Sequence, residues 1–357
     1  EIVKNLSIAD RHIVEIARAL LQNSKIIIMD EPTAALSKKD IDKLFKIIIN
    51  FKKKNKSVIF ISHKLDEIFE ISEEISILKD GKLVTSGEIH NFSKKEVIQK
   101  MVGRELKDNV SNKNIVINNP ILEIKNLSKK TLFKNINFKL NNKEILGFYG
   151  LIGSGRSEVM KSIFSINNFD EGSLFLDGVL CNFLSPIGAI NKGIVYLTEE
   201  RNDFGIINSM SIKDNLTLSI LKNISSYGIL DIQKQVEVTN DLKKKLNIKF
   251  SSANENIDNI SGGNQQKIVI GKWLSTNPRI IILDEPTKGI DVGSKETIHG
   301  FMKKLVDNGM SIILVSSDLT EIMSLCNRVV VMEKGLIKKT LNISETCSEE
   351  ILSYAAV

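Results

Sequence analysis

Cysteine, proline and aromatic residues are scarce in this chain of 357 residues, which holds 3 Cys, 5 Pro and 1 Trp, with aromatics at 6%. Cys181, Cys326 and Cys347 are odd in number, scattered, and without CxxC spacing, so neither a disulfide framework nor a zinc site is expected, and a reducing compartment is. Long apolar runs are also missing. Ile26–Met29 and Ile280–Leu283 are strand-sized, far short of the ~18 apolar residues a membrane span needs. If the protein works at a membrane, another polypeptide crosses it. The opening Glu-Ile-Val-Lys does not have the charged-then-apolar build of a secretory leader. The net charge of +6 comes from dispersed lysines. The short basic runs Lys52–Lys54 and Lys243–Lys245 read as solvated helix faces, because a nucleic-acid surface would be denser and would add Arg and aromatics.

What the chain does have is a long repeat. IIIMDEPT (Ile26–Thr33) matches IIILDEPT (Ile280–Thr287) at all but one position. A constant offset of 254 residues separates Leu6 from Ile260, Asp30 from Asp284, His63 from Ser317 and Gly81 from Gly335. A period this long marks duplicated domains, not a solenoid. The copies are unequal upstream, with five residues before Leu6 against about 140, from about 120 onward, before Ile260. The expected organisation is therefore the C-terminal part of a first domain over 1–103, a polar Asn- and Lys-rich linker over 104–119, and a whole second domain over 120–357. The first copy is read as incomplete, without the front that would carry a phosphate-binding loop.

Periodicity predicts helices over Arg11–Leu21 and Asp40–Lys54, strands over Lys25–Met29, Ser57–Ile61 and Ile75–Leu78, and a hairpin turn at Lys79–Lys82. The second copy adds a β-rich front, with strands near 121–126, 135–140 and 143–149. Strands alternating with helices predict an α/β fold with a mainly parallel sheet covered on both sides.

Four motifs carry chemistry. Gly150-Leu-Ile-Gly153-Ser154-Gly155-Arg156-Ser157 follows the strand Glu144–Tyr149 and opens a helix. It fits the phosphate-loop pattern G-x-x-x-x-G-K-[ST] except that Arg156 stands for Lys; backbone N–H groups would wrap phosphates and Ser157 would ligate Mg²⁺. Arg keeps the charge but is a bulkier, planar donor. Next, an apolar strand ends in Asp284-Glu285, and Asp30-Glu31 repeats it. Asp284 and Asp30 suit the Mg²⁺ shell, while Glu285 and Glu31 suit polarisation of an attacking water. Third, Ser261-Gly262-Gly263 begins a helix reaching about Leu274 and offers a second anion-binding end; Ser7 is its counterpart, but Ile8-Ala9 replaces the glycines. Fourth, His63 stands one strand after its acidic pair, where a γ-phosphate contact is expected, and Ser317 takes that place in the second copy.

Together these elements resemble the ABC ATPases: phosphate loop, acidic Walker B strand, LSGGQ-type signature and switch histidine. GLIGSGRSE, YLTEER (Tyr196–Arg201), ISGGNQQK and VSSDL are similar to the tandem-domain ATP-binding subunits of bacterial monosaccharide importers of the ribose and galactose type. The resemblance spans nearly the whole chain. It departs where a Q-loop glutamine would sit, since Glu199 is there, and no aromatic before the phosphate loop stands out as an adenine platform.

The resemblance implies a P-loop fold of the ABC type, with a helical subdomain between Glu199 and Ile260 where a membrane partner docks. It implies ATP and Mg²⁺ as ligands, permease subunits and an extracytoplasmic sugar-binding protein as partners, a peripheral place on the cytoplasmic face of the membrane, and no nucleic acid. It also implies two unequal sites formed as domains close face to face. One would use Asp30, Glu31 and His63 with Ser261, Gly262 and Gly263. The other would use Gly150–Ser157, Asp284 and Glu285 with Ser7. Arg156, Ser317 and Ile8-Ala9 predict that the second turns over slowly, and that this chain alone is a weak ATPase. A nucleoside importer of the same family, a tandem ATPase acting on nucleic acid or the ribosome, and a nucleotide-binding regulator without turnover are the alternatives.

Overall fold

The computed structural model describes residues 2–355 except 4, 5, 7, 22, 23, 34, 35, 37, 63, 64, 80, 95, 98, 99, 101–119, 152, 201–203 and 291. Contacts divide the chain into two units: Glu1–Asp108 with Asp291–Gly293, and Asn109–Ile290 with Ser294–Val357. The expected linker at 104–119 lies outside the described residues.

In the first unit, α1 (Ile8–Leu21), β1 (Ile26–Asp30), α2 (Lys38–Lys53), β2 (Ser57–Ile61), α3 (Leu65–Ile71), β3 (Glu74–Lys79) and β4 (Lys82–Glu88) follow in order. Helix α1 starts three residues before the expected Arg11. Asp10 then falls in its first turn, where a carboxylate complements the helix dipole. Strands β1 and β2 pair in parallel, Ile26 opposite Ser57 and Asp30 opposite Ile61. Ile27 and Met29 point into a core with Leu44, Phe45 and Ile48 of α2. Alternate residues face the other way, so Ile26 and Ile28 are 59% and 66% exposed. Strands β3 and β4 form an antiparallel hairpin around Ile75 and Ile77.

The second unit opens with β5 (Pro120–Lys129), β6 (Phe133–Asn141) and β7 (Ile145–Tyr149). Strand β7 begins later than the expected 143, because the chain turns sharply there: Lys143 has φ 57, and the buried Glu144 carboxylate accepts from the backbone N–H and side-chain amide of Asn141. Then come α4 (Arg156–Ile163), β8 (Glu171–Leu176), β9 (Val179–Cys181), α5 (Pro186–Asn191), β10 (Ile194–Leu197), α6 (Ile212–Thr217), β11 (Ser225–Ser226), β12 (Ile229–Leu230), α7 (Ile232–Leu246) and α8 (Gly262–Leu274). The unit ends with β13 (Ile280–Asp284), α9 (Val292–Asp307), β14 (Ser311–Val315), α10 (Leu319–Leu325), β15 (Arg328–Glu333), β16 (Leu336–Asn342) and α11 (Ser348–Ala355).

Six strands form the central sheet in the order β10-β13-β14-β7-β15-β16, parallel except for β16. The central strands β7, β13 and β14 are buried along their whole length, as a parallel sheet covered on both faces requires. Ile281, Leu283, Ile312 and Leu314 face the helical subdomain, α9 and α10. Ile280, Ile282, Ile313 and Val315 face α4 and the antiparallel front sheet β6-β5-β8-β9. The expected mainly parallel core, β-rich front and helical insertion are thus all present. Among the described residues, no helix is long and apolar enough to cross a membrane.

Candidate functional site

Strand β7 runs straight into Gly150, and the loop to Gly155 opens helix α4 at Arg156. Gly155 takes the N-cap position at φ 91, a conformation that favours glycine. Its neighbour Ser154 is 5% exposed, and its hydroxyl has no hydrogen-bond partner. A buried polar atom left unpaired is costly, and one inside a loop of this kind suits a phosphate oxygen. The turn between β15 and β16 braces the loop from behind. Gly335 donates its N–H to the Ser154 carbonyl at 2.9 Å and accepts from the Lys134 N–H at 3.0 Å.

Asp284, at the end of β13, is fully buried. Its Oδ1 accepts from the Ser157 hydroxyl at 3.1 Å and its Oδ2 from the Tyr196 hydroxyl at 2.6 Å. The structure therefore brings together Ser157 and Asp284, the two residues expected to hold Mg²⁺. Tyr196 was not foreseen as a site residue. The signal lay in the register: Tyr196 stands opposite Ile282, so it shares a face with Asp284 two residues on. Burial raises the pKa of Asp284, against the two hydroxyl bonds that stabilise its anion. Burial and the neighbouring Asp284 push Tyr196 upward as well, so it stays a donor. A desolvated carboxylate with the Ser157 hydroxyl beside it offers the hard oxygen donors that a divalent cation fits.

Glu285 follows in a left-handed conformation, φ 48, with its N–H bonded to the Val315 carbonyl at 2.9 Å. Its pKa is raised by burial, while Arg156 and Ser317 pull it down. The Arg156 guanidinium is buried. Its Nη1 donates to the Ser316 carbonyl at 2.6 Å, and its Nη2 lies 3.5 Å from the Glu285 carboxylate. The residue expected to grip phosphate thus sits on the acid expected to activate water. Ser317, exposed, hydrogen-bonds Glu285. Lys288 pairs with Glu199 at 2.6 Å, so the residue at the Q-loop position is joined to the segment after β13.

Ser261 takes the N-cap position of α8 without capping it by its side chain; its hydroxyl accepts from the Asn264 amide at 3.0 Å. Gly262 and Gly263 form the first turn, the expected row of backbone donors at a helix start. Lys272 near the end of α8 is buried, with its ammonium on the Gly205 carbonyl at 2.6 Å.

In the first unit Asp30 ends β1, and Glu31 repeats the left-handed conformation at φ 47, with its N–H on the Ile61 carbonyl at 2.9 Å. Ser7 and His63 lie outside the described residues.

The chain is similar to known proteins. The family model described as ABC transporter matches residues 133–288. Ribose import ATP-binding protein RbsA 2 of Rhizobium johnstonii is 44% identical over 353 residues, 99% of this chain and 69% of that protein. Ribose import ATP-binding protein RbsA of Caldanaerobacter subterraneus is 43% identical over 355 residues, 99% of this chain and 72% of that protein. Among solved structures, a dimeric ATP-binding cassette in a post-hydrolysis state with ADP and Pi aligns with a TM-score of 0.55 at 22% identity, over 62% of this chain and 98% of that one. A nucleotide-free ATP-binding cassette from an ABC transporter aligns with a TM-score of 0.55 at 20% identity, over 66% and 95%. At such identities the structural likeness concerns the fold.

Proposed function

Because this chain belongs to the ABC transporter family of ATP-binding proteins, we propose that it is the ATP-hydrolysing subunit that drives import of ribose or a related monosaccharide across a bacterial cytoplasmic membrane. The observation that carries the reading is the 44% identity to a ribose import ATP-binding protein along 99% of the chain. On this reading the protein works at the cytoplasmic face beside permease subunits, and an extracytoplasmic binding protein delivers the sugar.

The site residues take the following roles. The Gly150–Ser157 backbone and the buried Ser154 hydroxyl hold phosphate oxygens. Ser157 and Asp284, and Asp30 in the first unit, hold Mg²⁺, with Tyr196 fixing the Asp284 carboxylate. Mg²⁺ supplies charge neutralisation on the transferring phosphoryl group. Glu31 and Glu285 orient water, His63 contacts the γ-phosphate, and Ser261, Gly262, Gly263 and Ser7 present signature donors. Catalysis of phosphoryl transfer rests on positioning and charge, so a group diverted from its place costs rate. Arg156 holds Glu285 in an ion pair and is itself held by Ser316. Glu285 is therefore a poor base until the guanidinium moves, and turnover is carried mainly by Glu31.

The test is reconstitution with permease and binding protein in vesicles. ATP-dependent uptake of labelled ribose, with ATPase stimulated by sugar-loaded binding protein, is the expected outcome. Stimulation by a nucleoside and not by ribose, xylose or galactose would move the cargo to the nucleoside class. No stimulation by any of them would end the transport reading.

A further inference from the structure

Both water-orienting candidates adopt a backbone conformation that costs energy. Glu31 and Glu285 have φ 47 and 48. A non-glycine residue in this region persists only where its surroundings over-determine it. Each N–H is fixed by the neighbouring strand, at Ile61 and Val315. A second restraint lies two residues on. The Thr33 hydroxyl donates to the Glu67 carboxylate at 2.6 Å, and the Thr287 hydroxyl donates to the Glu321 carboxylate at 2.9 Å. Both bonds span 34 residues of sequence, and all four side chains are buried. They tie the turn after the acidic strand to the helices α3 and α10, which follow positions 63 and 317.

We propose that Glu67 and Glu321 are positioning residues: each clasps the threonine two residues beyond the carboxylate it serves, and so keeps Glu31 and Glu285 in the left-handed turn that aims them. This rests on the reading of those two glutamates given above. A hydroxyl bonded to a buried carboxylate is charge-assisted and stronger than a neutral pair. The duplication supports the assignment, because the clasp recurs although its surroundings differ. In the second unit His299 Nε2 also meets Glu321, at 2.7 Å, while the matching position in the first unit is Phe45, a core residue. The imidazole is thus an addition of the second copy, whereas the threonine–glutamate bond is shared, as is a serine beside the glutamate, Ser62 in the first unit and Ser316 in the second.

The experiment measures ATP turnover by the protein assembled with its permease, for Thr33→Val, Thr33→Ser, Glu67→Gln and Glu31→Gln. Valine matches threonine in shape and lacks the hydroxyl. Losing a hydrogen bond to a charged group predicts a fall in kcat of roughly tenfold for Thr33→Val, with KM within about twofold. Serine, which keeps the hydroxyl, restores most of the rate. Should Thr33→Val not fold, Glu67→Gln is read by the same criterion. Thr33→Val at wild-type rate beside an inactive Glu31→Gln overturns the clasp alone, as does an equal loss in valine and serine variants. An active Glu31→Gln overturns the underlying reading instead.

Discussion

Replacing Gly335 by alanine tests how the phosphate loop is supported, and a second left-handed glycine of the same unit supplies the control. Gly335 has φ 77, and a Cβ there would lie 2.3 Å from the Leu132 carbonyl oxygen and 2.9 Å from Phe133 Cα. Both are backbone atoms and cannot swing aside. Gly178, in the turn between β8 and β9, has φ 77, and an added Cβ would meet nothing within 4 Å. Each alanine therefore incurs the left-handed penalty of about 1–2 kcal/mol. Only at 335 does the turn also have to move, an overpacking cost of about 1–3 kcal/mol more. That movement would break the bond from the Gly335 N–H to the Ser154 carbonyl, and with it the brace behind the loop. Titration with a fluorescent ATP analogue should show Gly335→Ala weakening nucleotide binding by at least about tenfold, which is ~1.4 kcal/mol, and Gly178→Ala leaving it nearly unchanged. Equal effects at the two positions, or undisturbed binding in Gly335→Ala, would refute the reasoning.

Two further outcomes follow from buried charges. Burial lowers the pKa of Lys272 to about 8. The folded state then holds this proton less tightly than the unfolded chain, so stability should rise with pH between about 8 and the ordinary lysine value, by about 3 kcal/mol at most. Thermal melts of wild type and Lys272→Met across that range check this; the methionine variant should lose the slope, and an unchanged slope assigns it elsewhere. Arg156→Lys exchanges a two-armed donor for a single ammonium that cannot hold Ser316 and Glu285 in the same way. In a Glu31→Gln background it should raise residual ATP turnover several-fold, read by phosphate release; a further fall would mean that the guanidinium is needed where it stands.

Much of the architecture from α8 onward was legible because the repeat reports those elements twice. The carboxylate-ended strands and the strand–loop–helix at Gly150 follow from apolar runs bounded by glycine and acid. What pattern could not supply was the environment. Strands β1 and β13 are nearly the same sequence, yet β1 is exposed at Ile26 and Ile28 while β13 is buried throughout. Burial is set by what packs on the second face, which no local pattern encodes. Arg156 was legible as a departure from the phosphate-loop pattern, but its target was not, because Ser316 offers a backbone carbonyl and leaves no trace in side-chain identity. Tyr196 stayed hidden behind its place in a strand until the sheet order set it beside β13. The two clasps were within reach, since Thr33–Glu67 and Thr287–Glu321 keep one spacing in both copies; a threonine and a glutamate so far apart draw no attention without coordinates.

The most direct measurement compares steady-state ATP turnover of Glu31→Gln and Glu285→Gln, each assembled with permease and sugar-loaded binding protein. Glu31→Gln should abolish turnover, by roughly 10²-fold or more as expected for a lost general base, while Glu285→Gln keeps most of it. Turnover that survives Glu31→Gln and collapses in Glu285→Gln would contradict the account.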